Sequence, residues 1–239
     1  MSWLSRLFSG GKVQREVVLT SAQQQAIDDW KKVPAPDLER SHYLNRYVVA
    51  DVETSGLNME KDKLISIGAV AVVNGLIDFD DAFEVVLRQD EVSTNENILI
   101  HGIGGSAQSE GMEPADALIA FLGYLGKSPL VAYHALFDQT MIESAMKVHL
   151  GLKFEQPWID LAWLMPDLFR ERIDEQVDLD VWLRLFDIEN IQRHNAVSDA
   201  FATAKLLQVA LARGVHRNAE APANFFSIEK SRRWMRRAG

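Results

Sequence analysis

Short β-rich apolar runs open the body of this chain, and helically spaced apolar sets follow them. Arg46 to Glu53, with the core Tyr-Val-Val-Ala-Asp-Val, reads as a strand. Leu64 to Val73 reads as a second, and Asn74-Gly75 behind it is a strong two-residue hairpin signal. A third strand, Leu76 to about Leu87, therefore returns antiparallel to the second. Glu113 to Gly126 has apolar residues near helical spacing and a proline in its first turn. Leu130 to Tyr133 is a short buried strand followed by a helix from about Phe137 to Leu150. A strand near Trp158-Ile159 leads into a helix from Asp160 to Phe169. Leu179 to Phe186 and Ala196 to Arg213 complete the series, the last long and amphipathic. Ahead of this body, Ser21 to Lys32 reads as a helix capped by Ser21 and stopped by Pro34 and Pro36. A meander followed by helix–strand alternation predicts an α/β fold with a mixed five-stranded sheet, antiparallel at one side and parallel at the other, flanked by helices.

The 239 residues suit one large domain with additions at its ends: a leader and helix appendage over 1–45, a main domain over 46–213 and a basic extension over 214–239. Residues 1–20 are expected to be a poorly ordered leader, its apolar stub Trp3 to Phe8 resting on its own domain. No apolar run reaches the length of about 18 residues that spans a membrane, and the N-terminus lacks the layout of a signal peptide. There is no cysteine, which excludes disulfides and thiolate metal sites and fits a cytoplasmic location. The net charge of −9 argues against gripping a long duplex by its phosphates. An acidic chain acting on nucleic acid holds a few nucleotides, or uses metal ions to neutralise the phosphate. The C-terminal run Lys230, Arg232, Arg233, Arg236 and Arg237 is expected to be a solvated end.

Against that background, five residues carry the chemistry. Asp51 and Glu53 lie two apart on a strand, so both side chains leave one face, and paired carboxylates suit hard cations. Asp-x-Glu alone is a common surface pattern, but these acids follow an apolar run in which carboxylates are costly unless metal or hydrogen bonds compensate. Asp138 follows the next buried strand at a helix start, where an acid also favours the helix dipole. Asp199 sits on the last helix among Ala196, Ala200 and Ala204, small enough for close packing behind a metal site. His194, five residues earlier, supplies an imidazole, a group whose ordinary pKa of about 6.5 suits proton abstraction from water. Together they predict metal-assisted phosphodiester hydrolysis: two Mg²⁺ ions about 4 Å apart clamp the phosphate and His194 is the base.

Three segments, Asp51-Val-Glu-Thr-Ser-Gly56, Val131-Ala-Tyr-His-Ala-Leu-Phe-Asp138 and His194-Asn-Ala-Val-Ser-Asp199, resemble the three motifs of the DEDDh 3′–5′ exonucleases, typified by the proofreading epsilon subunit of bacterial DNA polymerase III. The likeness covers about residues 46–213. It implies an RNase H-like fold and two Mg²⁺, with Mn²⁺ able to substitute, on Asp51, Glu53, Asp138 and Asp199. His194 would be the general base. Thr54, Ser55, Gly56, His101, His134 and Phe137 would lie along the substrate. The second motif departs from the family in carrying His134 where asparagine is usual, and Gly104-Gly105-Ser106 follows His101-Gly102-Ile103 where Thr or Ala and then an acid are common, which would loosen a substrate loop. The expected substrates are 3′ ends of single-stranded or frayed DNA, and the partner a polymerase or other replication or repair protein. An exoribonuclease resembling oligoribonuclease or RNase T is the close alternative, and a catalytically silent nucleic-acid-binding module the distant one.

Overall fold

The computed structural model describes residues 17–238, so most of the expected leader, including Trp3 to Phe8, lies outside the described residues. The strands are β1 (Arg46–Thr54), β2 (Leu64–Val73), β3 (Leu76–Val86), β4 (Leu130–Ala132) and β5 (Trp158–Asp160), in the spatial order β3-β2-β1-β4-β5. β1 pairs antiparallel with β2 and parallel with β4. Asn74 and Gly75 both take positive φ, 53° and 78°, as the tight β2–β3 hairpin requires. The mixed sheet is the one the pattern predicts, in an RNase H-like arrangement.

The helices are α1 (Ser21–Lys32), α2 (Asn95–His101), α3 (Gly105–Ser109), α4 (Pro114–Leu125), α5 (Leu136–Leu150), α6 (Leu161–Leu168), α7 (Leu179–Leu185), α8 (Ala196–His216) and α9 (Pro222–Ala238). They cover both faces of β1. Val48, Ala50 and Val52 join a core with residues of α4 and α5. Tyr47 and Val49, on the opposite face, join a second core with α6, α7 and α8. Asp51 and Glu53 continue the parity of Tyr47 and Val49, so the strand aims them at the α8 side.

One glycine fixes how near α8 comes. Gly68 of β2 lies opposite Asp51. A Cβ there would meet the Ala196 carbonyl carbon and the Val197 nitrogen at 2.3 Å. The first turn of α8 therefore lies directly on the sheet beside the acids of β1.

Both ends of the chain differ from expectation. The cap of α1 is Thr20, not Ser21: Thr20 Oγ1 accepts from the Gln23 backbone while the Gln23 side chain accepts from Thr20 N–H. α1 packs on the main domain: Ile27 and Trp30 are buried in the core with Leu19 against them. Trp30 stacks on Phe154 at 6.0 Å and donates its indole N–H to the Gly126 carbonyl at 2.6 Å. The basic run, expected in solvent, belongs to α9, which packs on α6 and β5 with Phe225 fully buried. Ion pairs join Arg233 to Asp160 and Arg232 to Asp174. Burial of Phe225 and pairing with the buried Asp160 carboxylate outweigh hydration of the charges. The glycines after His101, expected to loosen a loop, instead cap and begin the short α3. Among the described residues, no helix is long and apolar enough to cross a membrane.

Candidate active site

The site forms where β1 outruns its parallel neighbour. β4 pairs with β1 at Val48 and Val49, so the last residues of β1 project beyond it. There the Val52 N–H finds a side chain instead of a strand, donating to Asp138 Oδ1 at 3.1 Å. That bond ties the first turn of α5 to the strand carrying Asp51 and Glu53. From the other face α8 delivers Asp199. Carboxylate oxygens of Asp51, Glu53 and Asp199 lie within 4.8 Å of one another, close enough to hold one cation between them.

Crowding acids away from water raises their pKa values. Burial first, then the charges of Asp138, Asp199 and Glu53, holds Asp51 well above the usual carboxylate range, and Arg193 opposes this. Burial, with repulsion from Asp199 and Asp138, pushes Glu53 up to about 8, again against Arg193. Burial also raises Asp138, with the Val52 N–H pulling the other way. A cluster this reluctant to ionise stores repulsion that a divalent cation relieves. The donor set, carboxylate oxygens without sulfur or imidazole nitrogen, suits a hard cation such as Mg²⁺ or Mn²⁺.

The segment before α8 folds over Asp199. Its Oδ1 accepts from Asn190 and from the Arg193 guanidinium, both at 2.5 Å, and its Oδ2 accepts from the His194 backbone N–H at 2.9 Å. Arg193 also reaches Asp180 at 3.1 Å. His194 takes a left-handed φ of 60°, and its residue is exposed. The backbone is thus committed to Asp199 and the imidazole is left to the solvent side. Arg193, Asn190 and Gly68 were not picked out from sequence. The one available signal was Gly68 itself, a lone glycine inside a β run, which marks a close approach.

The predicted substrate residues divide into groups. Thr54 is buried and donates its hydroxyl to the Gly56 carbonyl at 2.7 Å, while Ser55 Oγ bonds Asp62 at 2.9 Å. Both hydroxyls hold the turn after β1 in shape, with Asp62 packed over Gly56. Asn97 of α2 donates to the Ser55 carbonyl and docks α2 on this turn. His101 is buried, its Nδ1 accepting from Ile103 N–H at 3.0 Å and its Nε2 facing Ser93 Oγ at 3.4 Å. The structure therefore places the His101 ring inside the α2–α3 segment, away from solvent. His134, like His194, has a left-handed φ of 60°, and its N–H donates to Asp160 Oδ1 at 3.0 Å. Phe137 rests against the core and also lines a groove with Met59 and Trp163.

A carboxylate trio lies at the end of the central strand of an RNase H-like sheet, with a fourth acid bonded to that strand and the His194 backbone bonded to the third, and the family match makes the chain a nuclease. The exonuclease family model matches residues 48–207, more than half of the chain, and the chain belongs to the DEDD-type 3′–5′ exonucleases. It is similar to the PolC-type DNA polymerase III of Oceanobacillus iheyensis, 30% identical over 203 residues covering 83% of this chain and 14% of that protein. The PolC-type DNA polymerase III of Bacillus subtilis is 29% identical over 222 residues, or 91% of this chain and 15% of that one. The chain thus spans about one seventh of these relatives' length. Among solved structures, E. coli exonuclease I in complex with a dT13 oligonucleotide shares the fold with a TM-score of 0.59 at 18% identity, over 72% of this chain and 42% of that one. Exonuclease X in complex with 5′ overhanging duplex DNA matches with a TM-score of 0.59 at 18% identity, over 77% of this chain and 99% of that chain.

Proposed function

We propose that this chain removes nucleoside monophosphates from the 3′ ends of single-stranded or frayed DNA, with two Mg²⁺ ions as cofactors. The observation that carries the reading is the convergence of Asp51, Glu53 and Asp199 in surroundings that raise the proton affinity of Asp51 and Glu53. Asp51, Glu53, Asp138 and Asp199 would hold the cations, Asp138 keeping one oxygen on Val52 N–H. When bound, divalent cations neutralise the scissile phosphate and orient the attacking water. His194, exposed at the lip of the cluster, accepts the proton that water gives up. The His194 N–H bond to Asp199 keeps the base in register with the acids.

The rim supports a single-stranded substrate. Leu57 is 87% exposed, Leu136 60% and Ile191 86%, and each lies within a few residues of a site residue. Exposed aliphatic side chains suit the faces of unstacked bases, which a duplex would hide. The PolC-type relatives favour a polymerase or another replication or repair protein as partner, working in the cytoplasm.

The test is mononucleotide release from 5′-labelled single-stranded DNA and matched RNA with Mg²⁺, Mn²⁺ or EDTA, alongside Asp51→Ala and His194→Ala. We expect a metal-dependent ladder shortening from the 3′ end, abolished in Asp51→Ala and reduced about 10²–10⁴-fold in His194→Ala. Faster cleavage of RNA would replace the DNA reading with an exoribonuclease. Cleavage of neither polymer would leave a binding module.

A further inference from the structure

A groove of about 330 Å³ runs from the second motif to the C-terminal helix, with Met59, His134, Leu136 and Phe137 at one end and Trp163 and Arg233 at the other. Its near end is built from the second motif, in which Phe137 directly precedes Asp138. Its far wall is α9, which lies wholly beyond the family match ending at residue 207.

The chemistry of the groove is that of a nucleotide strand. Met59, Leu136 and Phe137 offer apolar surface for a base. Trp163 carries two guanidinium groups, Arg233 at 4.9 Å and Arg236 at 5.6 Å from the ring centroid. The one acid in the lining, Asp160, is already satisfied by the N–H groups of His134 and Ala162 and by Arg233 at 3.0 Å. It therefore does not repel an anion as a free carboxylate would.

The cations on α9 are not equivalent. Arg233 is committed to Asp160 and Glu229, and Arg232 to Asp174 with Asp167 beside it. Arg236 is exposed and donates to the neutral amide oxygen of Gln176, a groove residue, at 2.6 Å. Among the described residues no carboxylate pairs with it, so its charge faces outward while Gln176 and Trp163 hold it in place. On a chain with net charge −9, a positioned and uncompensated cation beside an apolar groove suits phosphate.

We infer that α9 and Trp163 form an accessory subsite for single-stranded nucleic acid, binding the strand upstream of the nucleotide being removed, with Arg236 on a phosphate. The inference rests on the nuclease reading above and is tested apart from it. Anisotropy of a fluorescent twelve-nucleotide oligothymidylate is measured in EDTA with the full chain, with Arg236→Ala and with Arg236→Lys, over a salt series. Cleavage of the twelve-mer and of a trinucleotide is followed in Mg²⁺. Arg236→Ala should weaken twelve-mer binding about 5-fold and lower the salt slope by about one. Arg236→Lys should recover most of the loss, and trinucleotide cleavage should suffer less than twelve-mer cleavage. Twelve-mer binding by Arg236→Ala equal to the parent's would overturn the subsite while leaving the nuclease reading intact. Binding that depends on Arg236 without any cleavage would sink the nuclease reading and keep the subsite. No binding by the parent chain would remove the subsite outright.

Discussion

Replacing Glu53 with glutamine should make the metal-free protein more stable while destroying the enzyme. Burial and the neighbouring acids displace the Glu53 carboxyl from 4.5 to about 8. No described residue donates a hydrogen bond to it. Between those values the folded protein keeps a proton that the unfolded chain has released, so raising the pH favours unfolding across that window. The contribution is absent below about pH 4.5, grows through neutrality and levels off above about pH 8. At about 1.4 kcal/mol per pH unit, the displacement sets an upper limit of about 5 kcal/mol on the cost of ionising Glu53. Protonation of Asp51 or Asp138 in its place lowers the net value, and about 2 kcal/mol is a fair expectation. For a domain this size that corresponds to a Tm gain of roughly 4–8 °C. The assay is thermal unfolding of both proteins in EDTA at about pH 4, 7 and 8.5. The Glu53→Gln advantage should be near zero at the lowest pH and largest at the highest. Mg²⁺ should then raise the parent's Tm more than the variant's. A variant that melts at or below the parent at the highest pH in EDTA would refute the account of stored repulsion.

Three further outcomes follow from the packing. Gly68→Ala should cost at least about 2 kcal/mol, because its Cβ would press on the α8 backbone. Displacing Asp199 should also cut kcat on the order of 10²-fold, so a variant with parental Tm and kcat would show that α8 does not need this approach. Arg193→Ala removes a cation competing for Asp199, so the Mn²⁺ concentration at half-saturation, read by calorimetry, should fall roughly 3-fold; weaker binding would instead make Arg193 a support for the metal site. Trp30→Ala should lose about 3–5 kcal/mol, and a melt within a degree of the parent would show that the packing of α1 contributes little to stability.

Sequence pattern carried the elements whose signals are local. The β1 run, the Asn74-Gly75 turn and the spacing of the long helices each depend on neighbouring residues alone, and the strands start where expected. Asp51 and Glu53 were legible for the same reason, since a period of two places them on one face whatever lies around. α9 was not legible as a packed element, because its frequent arginines read as a hydrated tail until Asp160 and Asp174 are brought near them from far along the chain. Arg193 and Asn190 were missed for a related reason: polar residues in a loop are ordinary until the fold places Asp199 beneath them. Gly68 needed knowledge of which helix would cross it. The buried position of His101 likewise depends on Ser93 and on the helical turns around it, which no periodicity announced.

The two edges of the sheet are closed by unlike means, and this bears on how the protein behaves at high concentration. β3 has Met112 N–H on its Val86 carbonyl and the Tyr124 hydroxyl on its Asp81 carbonyl, and carries Asp78, Asp80, Asp81 and Glu84, so two such edges meeting would set acid against acid. β5 has no such row of charge; there α9 lies alongside, and Glu229 takes the Asp160 N–H at 3.0 Å. Loss of the last helix would therefore do more than remove cations from a groove. It would uncover a short apolar strand, Trp158-Ile159-Asp160, with an unclaimed backbone donor, the kind of edge through which chains add to one another and precipitate.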